Sequence, residues 1–135
     1  MPVRRVVIDH ITLGVRDLER SRAFYRAALA PLGFGELNVA RDERSAAFGP
    51  SGLDDFIISL DYEPGSTHVA FAAEDREQVH AFHAAALAAG GRDNGAPGPR
   101  AEYSPGYYGA FVLDPDGHNV EAVFHDPDAA PAGAA

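Results

Sequence analysis

Three residue types are missing from the 135-residue chain: it has no Cys, no Trp and no Lys, all 11 basic residues being Arg. Without Cys there is no disulfide framework, thiolate nucleophile, iron–sulfur cluster or Cys-ligated zinc, and sulfur gives no reading of the redox compartment. Without Lys there is no Schiff-base chemistry and no phosphate loop of the GK[ST] type. Any metal must be held by His, Asp or Glu, and any cation aimed at substrate must be an Arg. Positive charge is scarce overall. The formal net charge is −9, and no Arg cluster is denser than Arg4-Arg5, which argues against nucleic acid and anionic membrane as partners. Long apolar runs are also lacking, and the first nine residues show no signal-peptide apolar region before Asp9, so the expectation is a soluble, cytoplasmic protein. What is present is 46% hydrophobic and 23% charged residues in one domain's length of chain.

The chain repeats itself. Shifted by 58 residues, 9–33 aligns with 67–91 without a gap, and 10 of 25 positions are identical. Four of these are Ala matches in an Ala-rich chain; the other six are His10/His68, Asp17/Asp75, Glu19/Glu77, Phe24/Phe82, Leu29/Leu87 and Gly33/Gly91. Each copy opens with an expected strand, 6–15 and 67–72, followed by an Asp suited to cap a helix. Glu19 and Glu77 suit the positive first turn, and Gln78 completes a capping box with Asp75. Leu18, Ser21, Phe24, Tyr25, Ala28 and Leu32 recur at helical spacing, as do Val79, Phe82, His83, Ala86 and Gly90. Further strands are expected at 35–41, 46–48 and 55–62, then near 107–113 and 119–124, the last two joined by the turn Asp114-Pro115-Asp116-Gly117. Residues 92–106 read as a Gly/Pro-rich stretch. The expectation is a single α+β domain over 4–128: a βαβββ module at about 4–62, a linker at 63–66, a second module at about 67–128, and a flexible tail at 129–135.

His10 and His68 are equivalent positions of the repeat, so a pseudo-twofold packing of the modules makes them converge on one point. Two imidazoles from matched strands suit a metal. Glu121 is a carboxylate inside an apolar strand; Val120, Ala122 and Phe124 face the helix, which turns Glu121 to the other side. A buried carboxylate needs a cation or hydrogen-bond donors, and Glu121 is the third candidate ligand.

The phrases Asp9-His10-Ile11-Thr12-Leu13-Gly14-Val15 with Phe24-Tyr25, then Thr67-His68-Val69-Ala70-Phe71, then Asp114-Pro115-Asp116-Gly117-His118-Asn119-Val120-Glu121, resemble the vicinal oxygen chelate superfamily. That group includes glyoxalase I, bleomycin-resistance proteins, fosfomycin-resistance thiol transferases and extradiol dioxygenases. The resemblance implies two βαβββ modules forming a cupped mixed sheet around one divalent ion, which could be Zn, Fe, Mn or Ni. It implies the ligands His10, His68 and Glu121, and a homodimer whose two chains build each site. Glyoxalase I has a fourth ligand, a Glu on the last strand of the first module. Aligning 58–62 with that strand puts Ser59 there, with Asp61 two residues or roughly 6–7 Å further on. Two His and one carboxylate leave positions open for substrate or oxygen.

The fosfomycin enzymes share Thr12 beside the first ligand but rely on basic side chains, and only Arg92 and Arg100 lie in the corresponding region. Residues 100–109 concentrate Tyr103, Tyr107 and Tyr108 into an expected mouth or lid, with Arg100 available for a carboxylate. By alternation one of Tyr107 and Tyr108 faces inward, but not both. His80 reads as solvated, His83 as core and His118 as a surface turn residue. His125 shares the Glu121 face but lies roughly 13 Å along it. The leading expectation is a small metal-dependent enzyme, lyase, isomerase or dioxygenase, that chelates vicinal oxygens of a small organic substrate. The alternatives are a non-catalytic binding protein of the bleomycin-resistance kind and, more weakly, a phosphonate-directed thiol transferase.

Overall fold

A computed structural model of the chain describes residues 6–37 and 43–129. Along these residues the order is β1 (Ile11–Gly14), α1 (Leu18–Leu29), a 3-10 turn (Ala30–Leu32), β2 (Phe34–Glu36), β3 (Ser45–Pro50) and β4 (Phe56–Ser59). Then follow β5 (His68–Ala72), α2 (Arg76–Ala88), β6 (Arg92–Pro99), β7 (Tyr107–Leu113) and β8 (Asn119–His125). The strands form two four-stranded mixed sheets, β1-β4-β3-β2 and β5-β8-β7-β6. In each, the first and last strands pair parallel and the rest antiparallel. The fold is therefore α+β, built from two βαβββ modules. Each module expected from the resemblance contributes one mixed sheet, with its opening strand, β1 or β5, at an edge.

Both helices start where an Asp satisfies free N–H groups. Arg20 N–H donates to Asp17 Oδ1 (3.1 Å) and Gln78 N–H to Asp75 Oδ1 (2.8 Å). The Gln78 side chain closes the cap one residue earlier than expected, accepting from Glu74 N–H (2.8 Å) rather than from Asp75. The apolar stripes face inward: Phe24, Tyr25, Ala28 and Leu29 of α1 and Val79, Phe82 and Ala86 of α2 are buried. Each large apolar side chain so buried contributes about 1.5–3 kcal/mol. Phe71 of β5 joins the modules, meeting Phe56 edge-on at 5.1 Å and Phe34 at 5.7 Å, so that one core spans both.

Several expectations change. The opening strand begins at Ile11, not residue 6, because β4 supplies pairing only from there: Ile11 N–H donates to Asp55 O, and Ile11 stands opposite Phe56. The strand expected at 46–48 extends to Ser45–Pro50, and that at 55–62 contracts to Phe56–Ser59. Of 35–41, the structure shows β2 at Phe34–Glu36, and 38–42 lie outside the described residues, as do 130–135 of the expected tail. Residues 92–106 are not a continuous loop, since β6 occupies Arg92–Pro99. Its Pro and Gly content is compatible with a strand because β6 is an edge, with register shifts on both sides of Gly95.

The turn Asp114-Pro115-Asp116-Gly117 ties the modules together, and Gly117 supplies its positive φ of 93°. Asp114 accepts from the Tyr25 hydroxyl and from the N–H groups of Asp116 and His118; Asp116 accepts from Arg16 N–H (3.0 Å) and the Ser21 hydroxyl (3.3 Å). His118 is fully buried, not at the surface, because its two ring nitrogens serve Gly14 and Thr67 from opposite modules.

Candidate metal centre

Alternation along β5 leaves His68, Ala70 and Ala72 exposed on the helix-free face and buries Val69 and Phe71. In β8, Glu121 stands opposite Ala70 on that same face, yet it is 1% exposed. Its carboxylate is held on both oxygens. The Tyr107 hydroxyl donates to Oε2, and His68 Nε2 stands 3.1 Å from Oε1. Burial first, then the hydrogen bond and charge of Glu121, push the Tyr107 phenol well above its ordinary pKa, so it remains a donor. Gly109 makes room for this carboxylate: a Cβ there would lie 3.0 Å from Glu121 Oε2 and 3.2 Å from the Tyr107 ring.

His68 Nδ1 lies 3.1 Å from the carbonyl oxygen of Asn119. A carbonyl only accepts, so Nδ1 carries the proton. In the neutral ring Nε2 then aims a lone pair at a carboxylate oxygen, an arrangement that calls for a proton or a cation between the two. Two donors about 2.1 Å from one ion and at right angles stand about 3 Å apart, so the spacing fits two ligands of a shared metal. Phe111, opposite Glu121 in the sheet, stacks beside the imidazole at 6.1 Å with planes 24° apart.

The first module offers less. Thr12 pairs with Ile57 as Ala70 pairs with Glu121, so by strand register the counterpart of Glu121 is Ile57, two residues before the Ser59 obtained by alignment. Ser59 pairs with Gly14 and is buried, its hydroxyl accepting from Asp61 N–H (3.0 Å). His10 precedes β1, half exposed, with Nδ1 2.8 Å from Asp9 Oδ1. Among the described residues no three of His, Asp and Glu come together in a metal-holding group, so His68 and Glu121 meet and His10 is apart from them in this chain.

Of the tyrosines, Tyr107 faces Glu121, and Tyr103 packs edge-on against it at 5.1 Å while remaining exposed. Tyr108 points the other way, hydrogen-bonded to His80 Nε2 (2.7 Å) of α2 beneath the Arg76 guanidinium, so of the two it is Tyr107 that shares the Glu121 face. His83 is partly buried and donates to Asp93 Oδ1 (3.0 Å), and His125 packs on the Tyr107 ring. Sequence reading did not find Gly109, His118 or the Tyr107–Glu121 bond. They depend on strand register and on which module a turn packs against; the Glu121-facing alternation of β7 was the available signal.

No helix among the described residues is long and apolar enough to cross a membrane. Residues 7–122 match the glyoxalase/bleomycin resistance protein/dioxygenase superfamily. Among solved structures, a glyoxalase/bleomycin resistance protein from Albidiferax ferrireducens T118 is 32% identical, with a TM-score of 0.72, over 87% of this chain and 98% of that one. A glyoxalase-related enzyme from Fulvimarina pelagi (24% identity, TM-score 0.67, 98% and 100% covered) and a lactoylglutathione lyase from Agrobacterium tumefaciens (18%, 0.64, 90% and 95%) share the fold. No curated protein matches the sequence. By the family match over most of its length, with the two βαβββ modules that accompany it, this chain belongs to the glyoxalase/bleomycin resistance/dioxygenase superfamily.

Proposed function

We propose that the protein is a metal-dependent enzyme of this superfamily whose site is completed by a second copy of the chain. His68 and Glu121 of one copy and His10 of the other hold one divalent ion. The observation that carries this reading is the facing pair, His68 Nε2 and Glu121 Oε1 at 3.1 Å, with Nδ1 committed to a carbonyl. The second copy is supported by what lies next to His10. Val6, Val7 and Ile8 are 78%, 80% and 65% exposed, an apolar segment running into the edge strand β1, and β5 presents an edge beside His68. Unpaired strand edges and exposed apolar segments favour association.

When bound, the ion supplies Lewis-acid stabilisation to two neighbouring oxygens of a small organic substrate. The chain's own residues do the rest. Tyr107 fixes the Glu121 carboxylate, Asn119 fixes the His68 ring, and Phe111 walls the face on which substrate lies. With Ile57 in place of a second carboxylate, the chain lacks there the fourth ligand that glyoxalase I has, and the centre is read with three protein ligands. The same Ile57 also favours the second reading, a bleomycin-resistance-type binding protein with a vestigial ligand set.

Metal content separates the two. Protein purified without added metal and equilibrated with micromolar Mn, Fe, Ni or Zn is expected to take up one ion per site, and the His10→Ala, His68→Ala, Glu121→Ala triple variant none. Equal uptake by the two proteins leaves the binding-protein reading.

A further inference from the structure

Arg100 follows the irregular edge strand β6, and its guanidinium is held over the helix-free face beside the candidate centre. Nη1 donates to the carbonyl oxygens of Gly98 (2.9 Å) and Pro99 (3.3 Å), and Nη2 to that of Ala96 (2.8 Å). Cζ lies 5.4 Å from the centroid of the Phe111 ring. The backbone makes room for this placement: a Cβ on Gly95 or on Gly98 would stand 3.3 Å from a guanidinium nitrogen. Three of the five N–H donors are thus used, all on neutral carbonyls. The Nε–H and one Nη2 hydrogen have no acceptor among the described residues, and no carboxylate there pairs with the charge.

The opposite side of this arrangement is the candidate centre. In the strand order β5-β8-β7-β6, Phe111 of β7 separates His68 of β5 from Arg100, and Glu121 of β8 stands opposite Phe111. From Glu121 to the β6 edge is two strand spacings, or about 10 Å. The Phe111 ring therefore stands between the His68 imidazole of the carboxylate–imidazole pair and a positioned guanidinium that no carboxylate among the described residues neutralises.

We propose that Arg100 selects a substrate that carries a carboxylate about one ring's width from the two oxygens that the centre addresses. This rests on the metal-centre reading above and adds the class of molecule that the centre receives. The carboxylate takes the unused donors of a guanidinium already locked by three carbonyls, so little side-chain freedom is lost on binding.

The test compares two probes that differ by one carboxylate, catechol and 3,4-dihydroxybenzoate, by calorimetry on the full chain supplied with Mn²⁺ under anaerobic conditions. The wild type is expected to bind 3,4-dihydroxybenzoate at least about tenfold more tightly than catechol, the effect of a charge-assisted hydrogen bond. Arg100→Gln is expected to abolish the preference, and Arg100→Lys, which keeps the charge without the fork, to retain part of it. The wild-type comparison stands even if loss of the Arg100 contacts unfolds β6. Affinities within twofold of each other, or no binding of the carboxylate, overturn the proposal. His68→Ala separates it from the reading beneath it. Weaker binding of both probes with the preference intact supports both readings, whereas unchanged binding of both with the preference intact leaves Arg100 assigned and removes the metal centre.

Discussion

His118 Nε2 donates to the carbonyl oxygen of Gly14 across 2.8 Å, while Nδ1 of the same ring accepts from Thr67 N–H at 3.3 Å. A single buried imidazole thus fastens the end of β1 to the start of the second module. It also braces the backbone on both sides of His68, since Thr67 precedes that residue and Asn119, next to His118, accepts its Nδ1–H. Removing the ring leaves a buried carbonyl and a part-buried N–H without partners, at about 1–3 kcal/mol each. His118→Ala is expected to lower stability in urea denaturation by about 2–4 kcal/mol; a loss below about 1 kcal/mol contradicts the fastening role.

The Tyr25 hydroxyl, also buried, donates to Asp114 on the same turn. Burial, reinforced by the Asp114 charge, raises this phenol well above its ordinary value of 10.0. Its contribution is therefore complete below that value and is lost as pH rises through the folded pKa, because the unfolded chain ionises first. Tyr25→Phe is expected to cost about 1–3 kcal/mol at neutral pH. The gap between wild type and variant is expected to hold up to the ordinary value of 10.0 and to narrow above it; a constant gap through that range contradicts the assignment.

Glu36 on β2 receives Arg22 Nε and Nη2 (2.8 and 2.9 Å) and Arg26 Nη2 (3.1 Å) from α1. The Arg22 hydrogen bonds lower its carboxyl from the ordinary 4.5. Stability from this group is present above that value and lost as pH falls through the folded pKa. Glu36→Gln is expected to cost about 1 kcal/mol at neutral pH, after allowing for solvent screening, with the difference closing in acid denaturation below 4.5.

Gly109→Ala tests the bracing of Glu121 without replacing a ligand. The added Cβ meets the far end of the Glu121 side chain at 3.0 Å, which the carboxylate can relieve by moving. Stability is expected to change by less than about 1 kcal/mol. Divalent-metal affinity is expected to fall about 10–100-fold, the range for disturbed outer-shell support, with Tyr107→Phe falling similarly. Unchanged affinity in both contradicts the assignment of Glu121.

Both modules were legible in the sequence because a repeat carries its own internal control: His10/His68 and Asp17/Asp75 marked the strand and the helix cap of each copy. The limits lay in pairing. Residues 6–10 have strand composition but no partner strand among the described residues, which local pattern cannot reveal. The Pro- and Gly-rich 92–99 hid an edge strand whose partner, β7, tolerates register shifts. Alignment puts Ser59 at the position of the fourth ligand because it counts residues along the chain, whereas the Thr12–Ile57 pairing counts across the sheet. His118 looked like a turn residue because only the packing of the other module buries it.

The central claim is a divalent-metal centre assembled from His68 and Glu121 of one copy and His10 of another, and it is tested most directly by mixing variants. His10→Ala and His68→Ala proteins, each impaired alone, are combined under conditions that exchange subunits, and bound metal per chain is measured. In a mixed dimer one site loses both histidines and the other keeps its full set, so mixing is expected to restore tight metal binding. Wild-type protein that binds metal tightly while the mixture binds no more than either variant alone contradicts a shared site.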